Sequence, residues 1–109
     1  MTSQPAVAIT TSEPQRAPEL ARSIVGAGLA ACVQLIPQIR SFYVWEGAVQ
    51  DDAETLLLIK TDMALRDRLI GHIRTVHSYD VPELVFLNID DGLPAYLDWI
   101  TTVLDIAER

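Results

Sequence analysis

Residues Leu29 to Thr61 read L-A-A-C-V-Q-L-I-P-Q-I-R-S-F-Y-V-W-E-G-A-V-Q-D-D-A-E-T-L-L-L-I-K-T. Two apolar-rich runs meet at Glu46-Gly47, where glycine supplies the positive φ that a tight hairpin turn demands. The pattern predicts a long β-hairpin over Leu29–Lys60, with Pro37 marking a bend or bulge in its first arm.

Outward from the hairpin, Ala6 to Thr10 is a short β-branched run that reads as a buried strand, broken by Ser12-Glu13-Pro14. A helix follows, with Ala17, Leu20, Ala21 and Ile24 on one face, Pro18 in its first turn and Gly28 at its end. On the other side, Asp62 is placed to cap a second helix whose Leu65, Leu69, Ile73 and Val76 recur at three- and four-residue spacing. Pro82 pushes Val81 into an extended conformation, so His77–Glu83 reads as a loop. Leu84–Ile89 is the last expected strand and Asp90-Asp91-Gly92 its turn. Pro94 then opens a C-terminal helix that directs Leu93, Leu97, Ile100 and Leu104 to the core. The order is βαββαβ plus a helix, the α+β ferredoxin-like arrangement, in a single domain spanning 1–109.

Leu56-Leu57-Leu58-Ile59 and Leu84-Val85-Phe86-Leu87 do not alternate apolar with polar residues. A sheet with helices on one side and water on the other normally alternates, so both faces of these strands are expected to be dry. The cover for the second face is the C-terminal helix or a neighbouring subunit. The long hairpin arms also invite pairing with another chain, so a homo-oligomer is expected.

A formal charge of −7 argues against nucleic acid as a partner, since phosphate binding requires a basic patch. No apolar run reaches eighteen residues, so no membrane span is expected. The opening M-T-S-Q-P carries no basic region followed by an apolar stretch, and a cytoplasmic protein is expected. One cysteine excludes an internal disulfide. Neither a nucleophile–base pair nor a Gly-rich phosphate loop is visible, and no enzymatic activity is expected.

Cys32 is in phase with Ala30 and Gln34 and out of phase with Leu29, Ala31, Val33 and Leu35, which places it on the face opposite the helices. There it is either a soft thiolate ligand for copper or a small buried hydrophobe. His77 ends the second helix, as an imidazole ligand beside Tyr79 and Glu83 or as a side chain satisfying free carbonyls. His72 lies off the four-residue spacing that lets two histidines grip one ion.

The order L-A-A-C-V, I-P, Y-x-W-x-G, L-L-L-I-K-T, then H-S-Y-D-V-P-E at His77–Glu83 and Y-L-D-W-I at Tyr96–Ile100, resembles the CutA-type divalent-cation tolerance proteins over nearly the whole chain. The resemblance implies the same ferredoxin-like fold and a PII-like homotrimer. It also implies a role in divalent-cation tolerance, copper included, with weak direct metal binding and no other cofactor required; His77 and Cys32, read from their own positions, are the candidate ligands in this chain. Tyr43, Trp45, Lys60, Tyr79 and Glu83 match family positions that the resemblance gathers in clefts between subunits. Lys60 on its own reads as solvated or as paired with an acid such as Glu83. Ser78 and Asp80 depart from the family's H-P-Y-E-V-P-E. The family's proposed copper ligands, a first-strand cysteine and two adjacent histidines, correspond here to Ile9, Val76 and His77. The alternative is a signalling module, similar to the PII proteins, that holds a small ligand in inter-subunit clefts. A third reading is a stable trimer without a ligand.

Overall fold

The structure, a computed structural model, describes residues 3–109. Four strands, β1 (Pro5–Ser12), β2 (Cys32–Trp45), β3 (Ala48–Asp62) and β4 (Val85–Asn88), form one antiparallel sheet in the order β2-β3-β1-β4. Helices α1 (Ala17–Gly26) and α2 (Arg66–Val76) cover one face, and α3 (Pro94–Leu104) follows β4. This is the expected βαββαβ chain with an added helix.

Each boundary has a local cause. Gly28 at φ 72 ends α1: its N–H reaches Val25 O at 3.0 Å, while Leu29 N–H reaches Ile24 O at 3.2 Å, closing the helix with a left-handed glycine. Asp62 is fully buried and satisfied. Its Oδ1 accepts from Ala64 N at 2.9 Å, capping a 3-10 turn at Met63–Leu65 that leads into α2. Its Oδ2 accepts from Ser3 Oγ at 2.8 Å and Gln4 N at 3.0 Å.

Ala8, Leu57 and Ile59 project from the sheet into a core closed by Leu20 and Ile24 of α1 and Leu69 and Ile73 of α2, with Val33, Leu35 and Phe86 packed at its edge. A second cluster, Leu65, Ile100, Leu104 and Ile106, joins α3 to the start of α2. Val76, which continues the apolar spacing of the second helix, and Leu93, expected in the core, are 44% and 71% exposed. Val76 is the last residue of α2, and Leu93 caps α3 from outside its first turn.

Of the two covers expected for the second face, the C-terminal helix supplies only part within this chain. Leu57 and Ile59 are buried but Leu56 and Leu58 only partly so; Val85 and Leu87 are 48% and 55% exposed. α3 covers only one end of this face, where Lys60 Nζ sits over the Tyr96 ring at 5.7 Å. The expected phase of the first hairpin arm fails before Cys32. The strand starts there, Ala30 joins the core under α1 and α2, and Ala31 packs with the α3 cluster. Cys32 itself pairs with Lys60 on the second face, as expected.

The hairpin projects beyond the sheet and stretches the molecule to 45 × 27 × 23 Å. Its radius of gyration is 14.6 Å, against about 13 Å for a compact chain of this length. Glu46 and Gly47 turn the hairpin with φ of 50° and 77°, the pair of left-handed residues that matches the twist of the arms. A bulge lies between Ile36 and Ile39, where β2 carries one more residue than β3 and Gln38 takes φ 61. That residue exchanges the two faces. Before it, Cys32, Gln34 and Ile36 share the second face. After it, Ile39, Ser41, Tyr43 and Trp45 do.

Candidate functional site

The bulge aims Tyr43 and Trp45 into an open cleft of ≈ 1080 Å³ between the hairpin, the β1–α1 junction and the 77–83 loop. Tyr79, Asp80, Pro82 and Glu83 form the loop wall, and Ser41, Asp52 and Glu54 the hairpin wall. Within one chain, four of the five expected cleft residues, Tyr43, Trp45, Tyr79 and Glu83, therefore border one space. Lys60 does not. It pairs with Cys32 and Val7 near α3, and its Nζ donates to Gln34 Oε1 at 2.9 Å rather than to Glu83.

Four hydrogen bonds tether the 77–83 loop to the rest of the chain, and two contacts between His77 and Tyr79 brace it from within. His77 Nε2 lies 2.7 Å from the Thr11 carbonyl, and Tyr79 N–H donates to His77 Nδ1 at 3.1 Å. A carbonyl only accepts and an amide N–H only donates, so the proton sits on Nε2 and the Nδ1 lone pair is engaged. Thr10 Oγ1 donates to Glu83 O at 2.6 Å, Ser78 Oγ to Glu13 Oε1 at 2.8 Å, and the His77 and Tyr79 rings meet with centroids 4.7 Å apart. The Tyr79 hydroxyl completes the set by donating to Glu54 Oε2 at 2.7 Å. Burial first, then this bond, then the charges of Glu54 and Glu13 push the Tyr79 phenol well above its ordinary value. Tyr43 donates to Asp52 in the same way, and that bond raises its phenol too.

Five carboxylates line the cleft, Glu13, Asp52, Glu54, Asp80 and Glu83, and no lysine or arginine does. Glu54 is only 6% exposed. Its Oε2 takes the Tyr79 proton; its Oε1 has no hydrogen-bond partner among the described residues and keeps an opening to solvent. Glu54 went unnoticed in the sequence because D-D-A-E in a hairpin arm reads as a solvated face. The proline at position 37 was the one signal that the arm changes phase.

The candidate metal ligands are not brought together. Cys32 pairs with Lys60 and Thr11 with Leu56, which separates Cys32 from the His77 partner by about 13 Å along the strands. Among the described residues no three His, Cys, Asp or Glu side chains converge on a point that holds a metal ion. Ile9 is half-buried on β1 opposite Val85 and Leu58, and Val76 lies exposed beside His77.

Comparison with known proteins identifies the family. Residues 6–103 match the model of the CutA1 divalent ion tolerance protein. A relative from Oryza sativa subsp. japonica, named Protein CutA 1, chloroplastic, is 47% identical over 94 residues, covering 86% of this chain and 53% of its own. The chain spans about half the length of the first curated relatives it matches. The crystal structure of CutA1 from Oryza sativa superposes with a TM-score of 0.90 at 44% identity, over 94% of both chains. A PII-like protein CutA from Nostoc sp. PCC 7120 does so with a TM-score of 0.85 at 32% identity, over 91% of this chain and 96% of that one. These names are those of tolerance and PII-like proteins rather than of enzymes, and a chloroplastic relative means that the family does not fix a compartment. No helix among the described residues is long and apolar enough to cross a membrane. With its fold and nearly all of its length matched, the chain belongs to the CutA1 divalent ion tolerance family.

Proposed function

We propose that the protein is a cytoplasmic homotrimer that serves divalent-cation tolerance as a binding module, holding a small ligand in the cleft between hairpin and loop. The observation that carries this reading is the cleft: ≈ 1080 Å³, with the rings of Tyr43, Trp45 and Tyr79 in its walls beside five carboxylates. The trimer is supported by the half-exposed apolar second face, with Ile36 at 42%, Val85 at 48% and Leu87 at 55% exposure, and by a hairpin that leaves Phe42, Val44 and Val49 in solvent. A neighbouring subunit that covers these surfaces also brings its own residues to the rim of the cleft.

Direct copper binding at His77 and Cys32 is the competing reading, favoured by the family's description as divalent ion tolerance proteins. It requires the His77 ring to give up a hydrogen bond on whichever nitrogen takes the metal. Native mass spectrometry of the metal-stripped chain, titrated with Cu²⁺ and Zn²⁺ beside His77→Ala, separates the two. A trimer without stoichiometric metal uptake supports the cleft reading. Metal bound in fixed ratio to the trimer and lost in the variant supports direct binding, and a monomer overturns the assembly.

A further inference from the structure

We propose that the occupant of the cleft is a small organic cation, an amine or guanidinium, seated on Glu54 Oε1 beside the Tyr79 ring, with Tyr43 and Trp45 walling the cleft farther along the hairpin; this deepens the small-ligand reading and rests on it. Glu54 is 94% withdrawn from water on its 6% exposure, yet its one partner is a neutral phenol. A carboxylate in that position is unfavourable without a counter-charge. The described residues supply none. Arg16 is paired with Glu13, Arg40 with Asp51, and Lys60 Nζ with Gln34, and no basic residue lines the cleft. Glu54 is part of the cleft lining, and its second oxygen, without a hydrogen-bond partner among the described residues, keeps access to solvent there.

The remaining lining selects the same charge. Tyr43 and Tyr79 donate their only hydroxyl protons to Asp52 and Glu54, so both phenol oxygens offer lone pairs alone to a ligand. Acceptors and ring faces together suit a donor-rich cation, which gains both charge-assisted hydrogen bonds and cation–π contact. A phosphate or nucleotide would meet five carboxylates and no positive side chain. A bare divalent ion needs several oxygens converging on one point, and no such group forms among the described residues. The carboxylates are instead spread over the hairpin, the β1–α1 junction and the loop, as a flexible amine with more than one charged nitrogen requires.

The test is isothermal titration of the full chain with spermidine, ADP and indole, in parallel with Glu54→Gln, Glu83→Gln and Asp98→Asn. The glutamine at 54 keeps an acceptor for Tyr79, Glu83 is exposed so its exchange leaves folding intact, and Asp98 removes an equal charge from exposed α3. Saturable spermidine binding that weakens about tenfold or more in Glu54→Gln, less in Glu83→Gln and not in Asp98→Asn is the expected result. Equal weakening in all three marks general attraction to an acidic protein and overturns the site. Binding of ADP or indole but not spermidine leaves the cleft reading standing and overturns the cation, whereas no binding of any probe overturns both. Spermidine binding only to a dissociated Leu87→Asp variant means that a basic side chain of a second copy already occupies Glu54, which overturns a small-molecule occupant.

Discussion

The Tyr79 hydroxyl donates to Glu54 Oε2 across 2.7 Å, a bond between residues 25 positions apart that fastens the 77–83 loop to the second arm of the hairpin. It joins two projecting parts of a small fold, a loop and a hairpin, at a point where the carboxylate is nearly buried. Loss of the donor leaves that carboxylate without its hydrogen bond. Tyr79→Phe is therefore expected to destabilise the protein by about 1–3 kcal/mol, read from the urea midpoint at fixed protein concentration. An unchanged midpoint means the bond does not form in solution.

The same bond predicts an alkaline limit. The folded protein holds the Tyr79 proton more tightly than the unfolded chain, whose phenol has the ordinary value of 10.0. The raised value gives stability that is complete below pH 10.0 and declines as pH climbs toward the folded value, because the unfolded chain then releases its proton first. Tyr43 acts in the same direction. Thermal melts between pH 9 and 11 should fall less steeply for Tyr79→Phe than for the parent, and phenolate absorbance should lose its latest-titrating component; identical slopes would refute the link.

His77 is expected to behave as a structural tether. Its ring joins the Thr11 carbonyl to the Tyr79 amide, so His77→Ala removes two hydrogen bonds and the ring contact to Tyr79 at once. We expect a loss of about 1–3 kcal/mol and faster amide exchange confined to residues 77–83. Exchange that rises evenly over the whole chain would show that the loop is not held by this ring.

On the second face, Leu87 is 55% exposed in the protomer and pairs with Val7 on β1. Leu87→Asp adds a charge where the proposed neighbour packs, and leaves the core under α1 and α2 untouched. Light scattering should show loss of the trimer with circular dichroism unchanged. A variant that stays trimeric places the subunit contact elsewhere.

The βαββαβ order was legible because each element carries its own local signal: the glycine after α1, the aspartate before α2, the prolines opening α1 and α3. Faces were less legible than elements. Val76 and Leu93 fit a helical stripe, but a stripe does not say where the neighbouring layer ends. Leu56 and Leu58 look as apolar as Leu57 and Ile59, yet only the latter are sealed by this chain alone. In the cleft, the aromatic residues and the P-E of the loop were readable from the family resemblance. Glu54 and Asp52 were not, since their role depends on a one-residue phase shift at Pro37-Gln38 and on a loop brought in from 25 residues further along.

The hairpin turn offers a change of opposite sign. Glu46 and Gly47 both lie in the left-handed region, at φ 50° and 77°. Glycine adopts it without a Cβ penalty, but for glutamate the same conformation costs about 1–2 kcal/mol because Cβ crowds the following carbonyl. Asparagine tolerates it far better, and Asn-Gly is the preferred pair for this turn. Glu46 is exposed, with no side-chain hydrogen bond or ion pair among the described residues, so its exchange removes nothing the fold uses. Glu46→Asn should stabilise the protein by about 0.5–1 kcal/mol, and Gly47→Ala should destabilise it by about 1 kcal/mol. Both belong in one urea series at equal protomer concentration, since subunit assembly adds to apparent stability. Shifts of the same sign would mean that the two positive φ angles do not persist in solution, and the register that sets Tyr43 and Trp45 in the cleft would then need a different anchor.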